Sequence, residues 1–138
     1  MAHISESRVT LRIIGDELIP DEVSKLLGSP ATHGYKKGDV HKIKSTGRER
    51  IEKKGMWRIQ VADQFPENID AQLIEILNKL TSDLKVWEEL STKYYIDLFC
   101  GLFMKESNEG LDISPSSLKK LGERGITLAL DIYDPDKE

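Results

Sequence analysis

A chain of 138 residues, 38% hydrophobic and 32% charged, has the length and make-up of one globular unit that builds its own core without staples. Its formal charge of −4 and pI near 5.5 argue against a nucleic-acid domain, in which a basic face dominates. No apolar run approaches the roughly 18 residues of a membrane helix, the N-terminus MAHISESRVTLRIIG lacks a basic segment leading into an apolar one, and the one cysteine, Cys100, fits a reducing compartment, the cytoplasm.

The first predicted element is a half-buried strand, SRVTLRIIG, in which Val9, Leu11 and Ile13 alternate with Arg8, Thr10 and Arg12. IPDEVSKLLG predicts a helix of about two turns. Pro20 suits its first position, Asp21 and Glu22 the positive end of its dipole, and Gly28 a left-handed cap, with Val23, Leu26 and Leu27 inward. SPATHGYKKGDV, with Pro30, Gly34 and Gly38, predicts loop. From His41 to Gly55 the apolar residues thin to Ile43 and Ile51. This stretch is either a flexible loop or a two-stranded polar ribbon turning at Ser45-Thr46-Gly47. GMWRIQVAD predicts a second core strand, with Trp57, Ile59 and Val61 inward.

Asn68 caps the next helix, whose apolar positions run Ile69, Leu73, Ile76, Leu77, Leu80, Leu84, Trp87 and Leu90. Thr81-Ser82-Asp83 marks a kink or a join between two helices. KYYIDLFCGLFMK is apolar on both faces from Leu98 to Met104 and predicts a central strand. SNEG then predicts a tight turn and LDI a short return strand. Ser114 and Pro115 open a helix with Leu118 and Leu121 inward, ended by Gly122 and Gly125. ITLALDIY is the last strand and DPDKE a polar tail. The echo between LIPDEVSKLLG and DISPSSLKKLG suggests two strand–helix–strand units. We therefore expect a single α+β domain over residues 1–138. Its fold is ferredoxin-like or a related antiparallel or mixed sheet with helices packed on one face, any parallel crossover being right-handed.

The order LRIIGDELIPDEVSKLLG, KKGD, GMWRI, a long amphipathic stretch and CGLF…GLDISPSSLKKLGERGITLALDIY resembles the bacterial domain-of-unknown-function family 4279. The resemblance covers about residues 8 to 133. Its most specific pieces are Lys37-Gly38-Asp39, Gly55-x-Trp57 and the closing SP…LG…DIY. It implies a small cytoplasmic bacterial α+β protein and carries over no catalytic residues. The segment Val40 to Lys54 is where the chain departs from the family's shorter loop. Bacterial proteins of this size and style often act as immunity proteins against toxins, an analogy of fold and context.

The sequence contains no HExxH, CxxC, GxSxG, P-loop or dinucleotide fingerprint. No catalytic residue, metal ligand or cofactor is assigned. His3, His33 and His41 are scattered, and Cys100 sits in an apolar strand that suits a buried hydrophobe. The segment Lys36 to Arg58 stands out. It carries nine lysines and arginines against three acids, a local +6 that leaves −10 for the rest. It is either a solvated polar excursion or an anion-attracting loop over about residues 36–55 whose glycines let backbone amides approach. The candidate contacts for a ligand or partner are Tyr35, Lys36, Lys37, Asp39, Arg48, Arg50 and Arg58. The expected function is a non-enzymatic protein-binding module, with a toxin neutralised by an immunity protein as its most concrete form. A homodimer through an open sheet edge is a further form. The alternative is a small-molecule or nucleotide/anion-binding domain built on the KKGD loop. Neither a membrane nor nucleic acid is expected as a partner.

Overall fold

The computed structural model describes residues 2–135. The alternating segment at the N-terminus forms strand β1 (Glu6–Gly15), which is the middle of a five-stranded sheet. Its neighbours are β5 (Gly55–Gln60) and β6 (Tyr95–Phe103), both antiparallel to it. The short β2 (His33–Tyr35) extends the β5 edge, antiparallel, and β7 (Thr127–Tyr133) extends the β6 edge, parallel. Of the two sheet types expected, this is the mixed one, and β6 lies one place from the centre. A separate hairpin, β3 (Val40–Lys42) with β4 (Glu49–Ile51), leaves the chain between β2 and β5.

Period-two alternation decides which face is covered. Val9, Leu11 and Ile13 of β1, Trp57 and Ile59 of β5, and Ile96, Leu98, Cys100 and Leu102 of β6 are all buried on one side. Against them lie α1 (Pro20–Leu27), α2 (Ile69–Asn78), α3 (Leu84–Lys93) and α4 (Pro115–Glu123). Burying a Leu- or Ile-sized side chain stabilises by roughly 1.5–3 kcal/mol, so this layer supplies most of the driving force. Trp57 is fully buried, and its indole Nε1 donates to Ser24 Oγ at 3.0 Å, tying β5 to α1.

The helix ends follow the sequence grammar. Asn68 Oδ1 accepts from the Ala71 amide at 3.2 Å, Asp83 Oδ1 from the Lys85 amide at 3.0 Å, and Ser114 Oγ from the Ser117 amide at 3.1 Å. Asp83 starts a new helix, so Thr81-Ser82-Asp83 is a join between two helices. Gly28 adopts φ 81°, a left-handed conformation that glycine takes without steric cost.

Four details differ from expectation. Leu26 is exposed, because an eight-residue helix presents only Val23 and Leu27 fully to the sheet. Leu118 is exposed, and Ser117 occupies the inward position beside Leu121, its hydroxyl bonded to Asp70 Oδ1 at 2.6 Å. The loop expected after Gly28 contains β2, since the β5 edge offers free amides and carbonyls that His33–Tyr35 satisfies. LDI forms no strand. Only Gly110, just before it, makes a bridge, to His3. Asp136, Lys137 and Glu138 of the expected polar tail lie outside the described residues.

Candidate functional site

The sheet face away from the helices carries the outward positions of every strand. From the β2 edge these are His33 and Tyr35, then Met56, Arg58 and Gln60, then Arg8, Thr10, Arg12 and Ile14. β6 adds Tyr95, Asp97, Phe99, Gly101 and Phe103, and β7 adds Thr127, Ala129, Asp131 and Tyr133. Among the described residues no helix packs on this face.

Two ridges cross it. In one, the Arg12 guanidinium lies 4.4 Å from the centre of the Phe99 ring and donates from Nε and Nη2 to Asp97 Oδ1 and Oδ2 at 2.9 and 2.7 Å. The Tyr95 hydroxyl adds a third bond to Asp97 Oδ2 at 3.3 Å. In the other, the Arg8 guanidinium lies 4.6 Å from the Phe103 ring centre, and Tyr133 stacks on that ring at 4.6 Å with planes 4° apart. Glu6 and Asp63 hold Arg8 Nε at 2.6 and 3.3 Å. The aspartate bonds raise the pKa of Arg12, and the Glu6 bond raises that of Arg8. Both arginines are fixed cations. Between the ridges lies Gly101, in a cavity of about 300 Å³.

At the other end of the face stands the basic hairpin. A cavity of about 440 Å³ opens between its second strand and the sheet, lined by Arg50, Ile51, Glu52, Lys53 and Lys54 on one side and Ile14, Tyr35 and Met56 on the other. Glu52 is buried there, with Arg50 Nε 3.1 Å from its carboxylate. Burial, and after it the charge of Glu52, pushes the Tyr35 phenol up from its ordinary value. The hairpin follows the ribbon reading: Ile43 and Gly47 close its turn, Gly47 with φ 68°. All residues from Val40 to Ile51 are exposed.

The seven residues singled out from the sequence are therefore distributed, not gathered. Tyr35 and Arg50 line the cavity under the hairpin. Tyr35, Lys36 and Asp39 line a neighbouring cleft of about 240 Å³ against α1. Asp39 is a turn residue there, its Oδ2 accepting from the Lys36 amide at 2.8 Å. Lys37 faces Asp16 at 3.8 Å on the surface. Arg48 stands exposed near the hairpin turn, and Arg58 lies on the open sheet between Arg12 and His33. What was missed is the pair of ridges. Its signal was present: arginines at 8 and 12 and phenylalanines at 99 and 103, each pair four apart with a small residue between.

Among the described residues no group of three or more His, Cys, Asp or Glu side chains is placed to hold a metal, and no helix is long and apolar enough to cross a membrane. The fold and this face define an α+β protein with one helix-covered and one open, arginine-bearing sheet surface. The chain belongs to the family described as domain of unknown function (DUF4279), which matches residues 5–135. No curated protein and no solved structure matches it.

Proposed function

We propose that the protein acts by binding, and that its exposed hairpin engages an acidic partner protein. One observation carries the reading. Lys42, Lys44, Arg48, Lys53 and Lys54 stand exposed on or beside the hairpin, and none forms an ion pair among the described residues. Unpaired cations grouped on one projection of an otherwise acidic chain steer association with a complementary acidic surface and set its salt dependence. Neutralisation of a toxin is the specific form such binding takes in an immunity protein.

The test is co-expression of the tagged chain with the products of its neighbouring genes, in the native form and with Lys42→Glu, Lys44→Glu and Arg48→Glu combined. A salt-sensitive complex that the triple variant loses supports the reading. If the partner is toxic, the same variant also fails to protect cells from it. A complex that the triple variant keeps at native strength, or no complex with any neighbour, overturns it. A native chain that self-associates reversibly and salt-dependently, with a monomeric triple variant, identifies the partner as a second copy.

A further inference from the structure

The groove between the two ridges of the open sheet has a chemistry of its own. Its long walls are built from Arg12 laid on Phe99 and from Arg8, Phe103 and Tyr133 in a stack. Arg12 lies on a face of Phe99, and Arg8 and Tyr133 lie against Phe103, so guanidinium groups and aromatic rings line the groove together. Three guanidinium groups, those of Arg8, Arg12 and Arg58, line this groove and can donate to negative charge.

Each acid on this face already has a hydrogen-bond or ion-pair partner. Asp97 is engaged by Arg12 and Tyr95, Glu6 and Asp63 by Arg8, and Asp131 accepts from the Tyr133 hydroxyl at 2.6 Å. Arg58 is different. Its guanidinium makes no hydrogen bond or ion pair among the described residues, and its Nε is buried without a partner. A buried donor left unpaired is costly, and the residue is part-exposed, so the rest of the guanidinium is free to bond a ligand. Arg124 also has a buried, unpartnered Nε, but its Nη1 bonds the Lys120 carbonyl at 3.2 Å and faces Glu123. Beside Arg58 the groove offers two further polar groups, Thr10 and Gln60, which pair across β1 and β5.

The floor is open because residue 101 is glycine. A Cβ there would meet only ordinary contacts, Phe103 Cε2 at 3.5 Å and the Arg8 Cβ at 3.8 Å. The backbone does not need glycine for its conformation or for packing against a neighbour. A side chain at 101 would instead stand in the groove. The volume, about 300 Å³, matches the lower end of small-molecule sites.

We propose that this groove binds a small organic oxyanion, a phosphate or carboxylate seated on the Arg58 guanidinium with Thr10 and Gln60 beside it. Guanidinium presents paired N–H donors that match the two oxygens of either group. The site is distinct from the hairpin and does not depend on the partner proposed for it.

Isothermal titration of the full chain with inorganic phosphate, a sugar phosphate and citrate tests the proposal and separates phosphate from carboxylate. Saturable binding to at least one, weakened by added chloride, is expected. Arg58→Gln should weaken it about tenfold or more, the loss of a charge-assisted bond. Gly101→Leu should abolish it by filling the groove, and circular dichroism and the melting temperature show that the variant is folded, since a Cβ at 101 meets its neighbours only at van der Waals distance. Hairpin charge reversal should leave it unchanged. No saturable binding of any of the three at millimolar concentration overturns the proposal. So does binding that persists at native strength in either folded variant.

Discussion

Replacing Asp97 with asparagine tests the arginine ridge directly. The Asp97 carboxylate is 1% exposed and receives two bonds from Arg12 and one from Tyr95. Removing one partner of a buried ion pair costs about 3–5 kcal/mol, because the remaining charge stays buried and unpaired. Arg12 keeps 28% of its side chain exposed, so water recovers part of this and the expected loss is about 2–4 kcal/mol. For a chain of this length each kcal/mol is worth about 3.5 °C, so the melting temperature should fall by roughly 7–14 °C. Thermal and urea denaturation followed by circular dichroism read it, and the urea slope should stay constant while the midpoint moves. Joining Arg12→Met to Asp97→Leu should restore most of the loss, since no charge is then stranded. A melting temperature within about 2 °C of native for Asp97→Asn would refute the argument, for the pair would then be solvated in practice.

The remaining predictions concern three other positions. Burial raises the pKa of Asp70, but the bonds from the Ser117 hydroxyl, the Ser114 amide and the Ser114 hydroxyl outweigh it and hold the carboxyl below its ordinary value. A depressed carboxyl stabilises the fold above its unfolded pKa of about 4 and loses that contribution as pH falls through the folded value. Native melting temperatures should therefore drop more steeply than those of Asp70→Asn between about pH 5 and pH 3, and parallel curves would contradict this. The Cys100 thiol, pushed up to about 12 by burial and then by the charge of Asp97, should ignore a disulfide reagent at pH 8 until urea unfolds the chain; rapid native labelling is the opposing result. Trp57→Phe removes the bond to Ser24 and leaves a gap in the core, and should cost about 1–3 kcal/mol in urea denaturation. An unchanged midpoint would show that the core refills the space.

How much of this was legible in the sequence depends on which force wrote each element. Alternation in SRVTLRIIG, the proline and glycine punctuation of α1, the serine and proline that open α4 and the break at Thr81-Ser82-Asp83 are local signals, and each reappears where it was expected, whereas Gly122 lies inside α4 and Gly125 follows its end. The β2 strand was not legible. Three residues, His33–Tyr35, carry no pattern of their own and exist as a strand because β5 has a free edge to satisfy. The candidate site was divided for the same reason. Residues 35 to 58 are close in sequence, but the hairpin excursion sends Arg48 outward and returns Arg58 to the sheet. Proximity in the chain therefore gave one basic patch where the structure has a projection, two clefts and a separate groove.

The ridges also change what a doubly apolar strand means. Leu98 to Met104 has the sequence of a strand covered on both sides, yet only the side with Leu98, Cys100 and Leu102 meets helices. On the other side the covering layer is made of side chains: Arg12 lies over Phe99, and Arg8 with Tyr133 encloses Phe103. A guanidinium is flat and weakly hydrated, so it can lie on a phenyl ring while its edge still donates hydrogen bonds. That makes a face at once shielded from water below and lined by guanidinium groups above, which a helix layer cannot provide. The consequence is a division of labour across the sheet. Substitutions on the helix side act on stability through lost burial. On the open side, the Arg58 guanidinium has no partner among the described residues and Gly101 adopts no positive φ, so changes there should act on binding more than on folding.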